Sequence, residues 1–206
     1  MVRVAELSIH NTAIIPEENL LVLSSSPRAV EALLQTRQGE LASLLEDPAA
    51  VATVDRLGEA AGAMLLLGLD TCLGFTESPL LDLIGEVSDE TIVEKLTALV
   101  AETSQLFPYE ALGVGYRTEA SRPIGRIVFH YSVAEVAAAD LPLRRTLAES
   151  GFSQSREAPY SEVFLTFVEA VADGEDLVFT VRPANDQPKR LFQMVVYRDM
   201  TFAGCP

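Results

Sequence analysis

Two runs of alternating apolar residues, separated by Asp173-Gly174, most strongly constrain the fold of this chain. Apolar side chains alternate along 163–171 and again along 177–181. An Asp-Gly pair between two such runs is typical of a tight β-hairpin turn, because glycine adopts the positive φ that the turn requires. We therefore expect antiparallel strands in the second half of the chain.

Further strands are predicted on either side of turn-like segments. The segments 112–116 and 124–131 flank a turn at 118–123, and 191–197 is predicted as a third strand of this half. That last segment is apolar on both faces, which is typical of a central strand. In the first half, one strand over about 2–9 and another over 20–23 form a predicted hairpin around the Pro16 turn, and 63–69 is a further strand.

Helices are predicted where a small polar residue precedes a helical apolar pattern. Ser26-Pro27 and Asp47-Pro48 each place a capping side chain before a proline at the first helical position. The stripe at 88–107 predicts a long helix ended by Pro108. Ser132 and Glu135 have the spacing of a capping box, which predicts a helix over 133–150 that Pro142 kinks or divides.

These elements predict an α+β fold, with a mainly antiparallel sheet and packed helices. The simplest organisation is a single compact unit over 1–206. In both halves a hairpin is followed by a helix, and 21–30 aligns with 127–136. The chain could therefore be pseudo-duplicated as 1–87 and 108–206, joined by helix 88–107, with each ββα unit contributing to one shared sheet.

Acidic residues outnumber basic ones, with 30 Asp and Glu against 15 Lys and Arg and a net charge of −15. This balance argues against nucleic acid or an anionic membrane as the main partner, because both attract local positive charge. Apolar stretches are far shorter than the eighteen or so residues that span a bilayer, so no membrane-spanning segment is predicted. Most of the acidic excess lies in 1–106.

Arg117, Arg122 and Arg126 cluster around the predicted turn in the second half. Guanidinium groups bind carboxylates and other anions in a bidentate manner. Four interpretations remain open for this arginine cluster: a solvated loop, an internal domain contact, a dimer contact or an anion site. The cluster is the candidate binding site of the chain.

Cys72 and Cys205 are the only cysteines, and they form either a disulfide or two unrelated thiols. A catalytic role for Cys72 is disfavoured because Asp70 lies beside it, whereas a reactive thiolate needs a nearby cation. With only His10 and His130 as imidazoles, no metal site is predicted, and His130 is expected to be a hydrogen-bonded sheet residue. Gly113 and Gly115 indicate close backbone packing. No catalytic residue and no cofactor is predicted.

The stretch 19–34, followed by 44–51, carries the strand, the Ser26-Pro27 helix start and the Asp47-Pro48 helix start. This stretch resembles a segment of uncharacterised bacterial exported proteins of unknown function. The resemblance implies an extracytoplasmic α+β module and brings no catalytic residues. Because the sequence opens without an export signal, two locations remain open: cytoplasmic, or extracytoplasmic if a signal was removed.

We expect a soluble, non-enzymatic module that acts in protein interaction, including self-association, or as part of a surface assembly. The alternative is a small cytosolic ligand-binding protein or enzyme that uses the Cys72 region with a histidine.

Overall fold

The computed structural model describes residues 3–7, 10–15, 20–24, 27–40, 42–43, 46–67, 105–153, 155–197 and 199–204. The chain divides into two compact units, 1–47 and 48–206. Most of the predicted helix 88–107 lies outside the described residues, and its last three residues, 105–107, are not helical. The proposed duplication stays a prediction.

The first unit contains a three-stranded antiparallel sheet and a helix. Its strands are β1 (Arg3–Leu7), β2 (His10–Ile15) and β3 (Leu20–Ser24), and they lie in that order in the sheet. The first predicted strand is β1 alone, and the prediction missed β2, which pairs with both β1 and β3. Helix α1 (Pro27–Arg37) begins at the proline, as predicted.

The second unit contains a five-stranded antiparallel sheet. Its strands are β4 (Gly62–Leu67), β5 (Ala111–Glu119), β6 (Arg122–His130), β9 (Leu165–Asp173) and β10 (Asp176–Pro183), in the order β4-β5-β6-β10-β9. A small ribbon of β7 (Phe152–Ser153) and β8 (Ala158–Pro159) is separate. Both predicted hairpins of this half are confirmed, as is the α+β fold. The hairpins of the two predicted halves lie in separate sheets, and only β4 of the described strands in 1–87 shares a sheet with strands of 108–206.

Helices cover both faces of the large sheet. They are α2 (Pro48–Leu57), α3 (Ala134–Glu149), the single turn α4 (Tyr160–Val163) and α5 (Lys189–Val196). Helix α2 packs against β4, β5 and β6. A Cβ atom added at Gly113 would lie 2.5 Å from Thr53 Cγ2 of α2. The prediction of close backbone packing at Gly113 is therefore confirmed, and the face of the sheet that α2 contacts is called the α2 face.

The opposite face of the sheet carries the hydrophobic core. Phe129, Phe179 and Phe202 are fully buried there, with ring centroids 5.8–6.2 Å apart in edge-on or tilted arrangements. Aromatic pairs in this geometry stabilise a core beyond the area they bury. Helix α3 packs on β9 and β10, and Leu191 of α5 lies above Gly125 of β6.

The prediction of a strand at 191–197 is wrong, because residues 189–196 form α5. Leu191, Met194 and Val195 are buried, whereas Val196 and Tyr197 are exposed. The buried positions follow the i, i+3, i+4 spacing of one helical face. The apolar run is short, and periodicity alone cannot distinguish a buried strand from a helix in so few residues.

Helix α3 also differs from its prediction in its beginning and its continuity. It begins at Ala134, and its N-cap residue is Val133, which makes no side-chain capping hydrogen bond, so the predicted Ser132 cap is wrong. The helix continues through Pro142, so of the two predicted alternatives, a kink or a division, the division is wrong. Because α3 packs on the sheet, tertiary contacts compensate for the hydrogen bond that proline cannot donate.

Arg144 of α3 is completely buried, and all its guanidinium nitrogens donate hydrogen bonds. It forms an ion pair with buried Asp140 one turn earlier in the helix. It also donates to the carbonyl oxygens of Phe107 and Phe202, at 2.6 Å each. The guanidinium carbon lies 4.7 Å from the ring centroid of Phe129. Arg144 thereby connects the helix, the segment that precedes β5 and the C-terminal segment.

Tyr131 completes this buried cluster. Its hydroxyl donates to Asp140 Oδ2 at 2.6 Å and accepts from Arg144 Nε at 2.8 Å. Burial raises the pKa of Tyr131 above its ordinary value. The tyrosine therefore remains a neutral donor to Asp140 at physiological pH.

We predict that Arg144→Ala lowers the free energy of unfolding by about 3–5 kcal/mol, because it leaves a buried carboxylate and several carbonyl groups without their donor. The neighbouring Arg145 provides a control, since it is exposed and paired with Glu149 on the surface of α3. Arg145→Ala is expected to cost less than about 0.5 kcal/mol. Urea unfolding followed by circular dichroism measures both, and equal losses would contradict the assignment.

Candidate functional site

The three predicted arginines lie on one face of the β5–β6 hairpin. In the antiparallel register, Gly115 is opposite Arg126, and Glu119 is opposite Arg122. Gly115 faces α2, because a Cβ atom added there would lie 3.4 Å from Leu57 Cδ2. Since side chains alternate between faces along a strand, Arg117, Arg122 and Arg126 all lie on the α2 face.

The turn of the hairpin sets this arrangement. Ala120 and Ser121 connect the strands, with φ angles of 46° and 68°. Two successive positive φ angles are typical of a two-residue type I′ turn, which matches the twist of antiparallel strands. Neither residue is glycine, so no local pattern indicated a turn this tight. A one-residue change of register would move the arginines of one strand to the opposite face.

The three arginines differ in what they contact. Arg126 Nη1 donates to the carbonyl oxygen of Arg56, at 2.9 Å, near the C-terminal end of α2. Arg117 forms an ion pair with Glu119 of its own strand. Arg122 is exposed and makes no ion pair with any residue that the structure describes. Arg126 therefore stabilises the fold, and Arg122 is available to a partner.

A fourth arginine belongs to the same face and was missed in the sequence. Thr180 of β10 is opposite Arg126, and Val181 is opposite Gly125. Arg182 is the next residue, so it returns to the α2 face, where it is exposed. Alternation with Phe179 and Val181 could have predicted that Arg182 points away from the core. Only the strand order places it near the hairpin arginines.

We call Arg117, Arg122, Arg126 and Arg182 the arginine face. Arg122 and Arg182 are its exposed members that form no ion pair with a described residue. A guanidinium group with free donors is suited to carboxylate or phosphate groups, because its planar fork can bind two oxygens at once.

A second polar cluster lies at the other end of the same face. Asp176 Oδ1 is 2.7 Å from Nδ1 of buried His130, and Asp176 Oδ2 accepts from Arg56 Nε at 2.8 Å. Arg56 Nη1 also donates to Asp173 Oδ2 at 2.6 Å. The hydrogen bond to Asp176, and to a smaller extent the one to Asp173, raises the pKa of Arg56 above its ordinary value. The expected hydrogen-bonded sheet position of His130 is confirmed, and the cluster attaches α2 to the β9–β10 hairpin.

Other predicted site residues are not placed. Cys72 and Cys205 lie outside the described residues, and their disulfide stays a prediction. Within the described ranges, no group of three His, Cys, Asp or Glu side chains is arranged to hold a metal ion. In the same part of the chain, no helix has both the length and the apolarity to cross a membrane.

No protein-family model matches this chain, and searches of curated proteins and of solved structures find no match. The resemblance to bacterial exported proteins therefore stays a prediction. The geometry of the two polar clusters is the basis for proposing a function.

We predict that Arg126→Ala lowers the free energy of unfolding by about 1 kcal/mol, because it removes the donor to the C-terminal end of α2. The matched change Arg122→Ala, at the same face, is expected to stay within about 0.5 kcal/mol of the wild type. Thermal and urea unfolding of both variants measure the difference. A larger loss for Arg122→Ala would reverse the roles assigned to the two arginines.

Proposed function

We propose that this chain is a non-enzymatic α+β module that binds a protein partner through its arginine face, either alone or as part of a surface assembly. The observation that carries the proposal is the grouping of four arginines on one face of the sheet, with Arg122 and Arg182 exposed and without carboxylate partners in the described part of the chain. The complementary partner surface is rich in Asp and Glu.

Local charge, and not the net charge, determines what this face attracts. At an ionic strength near 0.1 M, charges farther apart than about 10 Å are largely screened. The arginine face can therefore attract carboxylates although the chain has a net charge of −15. A long polyanion would extend beyond the face onto acidic surface, which favours a short acidic protein segment over nucleic acid.

Arginine also suits a protein interface for reasons besides charge. It is enriched among the residues that contribute most to binding, because its planar group both stacks and donates several hydrogen bonds. Thr180 lies beside Arg126 on the same face and adds a hydroxyl group. An extended acidic segment could therefore find both charged and neutral donors.

We predict that a labelled octaglutamate peptide binds the full chain at about 0.1 M salt, and that Arg122→Glu combined with Arg182→Glu weakens binding at least about tenfold, since two attractive charges become repulsive. Fluorescence anisotropy measures the affinity. Arg145→Glu, on the exposed surface of α3, is the charge-matched control and should bind like the wild type. Equal binding by the double variant and the control would refute the proposed face.

The second candidate function is a small cytosolic ligand-binding protein or enzyme that uses the Cys72 region with a histidine. One observation favours it: Asp176 holds Nδ1 of His130, and no described residue hydrogen-bonds the other ring nitrogen. An aspartate that orients a histidine in this way is a common part of acid–base sites.

The oxidation state of Cys72 and Cys205 distinguishes the two candidate functions. The interaction module is proposed to be extracytoplasmic, whereas the ligand-binding protein or enzyme is cytosolic. We predict that denatured, unreduced protein from its native host has no titratable thiol, because a disulfide closes a loop in an oxidising compartment. Titration with a thiol reagent, before and after reduction, measures this. Two free thiols before reduction would favour the cytosolic candidate.

A further inference from the structure

We infer that the partner of the arginine face is a second copy of this chain, which contributes the carboxylates of its strand β9. The inference rests on the proposed function. It uses one further property of the α2 face: besides the arginines, this face carries exposed carboxylates on strand β9.

The carboxylates are placed by the register of the outer hairpin. Glu169 is opposite Thr180, and Asp173 is opposite Asp176. Thr180 is in turn opposite Arg126, so Glu169 and the arginine face share one face of the sheet. We call Glu169 and Asp173 the acidic edge. Glu169 is exposed and, among the described residues, has no ion-pair partner.

This part of the sheet is open to a partner. Strand β9 is the last strand of the sheet on this side among the described residues. Helix α2 packs on β4, β5 and β6, and on the same face Glu169, Val171 and Arg182 of the β9–β10 hairpin are exposed. Asp173 retains 63% of its side-chain exposure despite its contact with Arg56. Val168 and Val171 of β9 are also exposed, at 53% and 40%.

A surface that carries exposed charges of both signs at separate positions can be complementary to itself. When two copies are related by a two-fold axis, the acidic edge of each meets the arginine face of the other, and both contacts form together. Glu169 then supplies the ion-pair partner that Arg182 and Arg122 lack among the described residues of their own chain. The exposed valines of β9 add apolar contact, which an acidic peptide without them would not provide.

The association is expected to be weak. Exposed ion pairs contribute little individually, and an interface limited to one part of a sheet face is at the small end of specific interfaces. We therefore expect a dimer with a Kd on the order of 100 µM, which forms where the chain is concentrated on a surface or in an assembly.

Charge reversal tests the dimer in a way that a folding defect cannot imitate. Sedimentation equilibrium of the full chain, up to about 500 µM and at about 0.15 M salt, is expected to show dimers. Glu169→Arg and Arg182→Glu should each weaken association at least about tenfold, because each places like charges together at both symmetric contacts. An equimolar mixture of the two variants should associate again, since every contact then joins opposite charges. The variant that carries both changes should self-associate.

Other outcomes separate this inference from the proposed function. A wild type that remains monomeric up to about 500 µM, or two variants that do not associate when mixed, would overturn the dimer. If octaglutamate still binds and Arg182→Glu weakens that binding, the arginine face remains the proposed binding site and its partner is another acidic protein. If neither self-association nor peptide binding occurs, both proposals fail. Arg145→Glu should leave the dimer unchanged.

Discussion

The buried cation Arg144 is the interaction on which the rest of the second unit depends. A charged side chain without solvent is costly unless every donor is used and a counter-charge is present. Asp140 supplies the charge, and the carbonyl oxygens of Phe107 and Phe202 accept the remaining donors. Since these partners come from distant parts of the chain, the cluster holds α3, the segment before β5 and the C-terminal segment in one arrangement.

The same sheet carries two kinds of arginine with different consequences. Arg56 and Arg126 are used within the fold, where they attach α2 to the strands through Asp176 and through a backbone carbonyl group. Arg122 and Arg182 are exposed and form no ion pair with a residue that the structure describes. The contacts of Arg56 and Arg126 within the fold hold the strands in place, and these strands carry Arg122 and Arg182. This division of roles is the physical basis for proposing the arginine face as an interaction site.

Local patterns predicted most of the elements of the second unit. The Asp173-Gly174 turn and the alternation on either side correctly predicted β9 and β10, and Asp47-Pro48 correctly marked the start of α2. Helix α5 was mistaken for a strand, because eight residues are too few to separate the two periodicities. The Ser132 cap failed because packing on the sheet, and not the cap, positions the beginning of α3.

The α+β class, the antiparallel hairpins and the grouping of Arg117, Arg122 and Arg126 could be predicted from the sequence, because they follow from interactions between residues close together in the chain. The three-dimensional structure was needed to show that Arg182 joins these arginines, that Asp176 contacts both His130 and Arg56, and that Glu169 lies on the same face. Those relations depend on which strands are neighbours and in what register. Register is set by long-range burial and by the turn at Ala120 and Ser121, which the sequence placed within 118–123 without indicating its two-residue length.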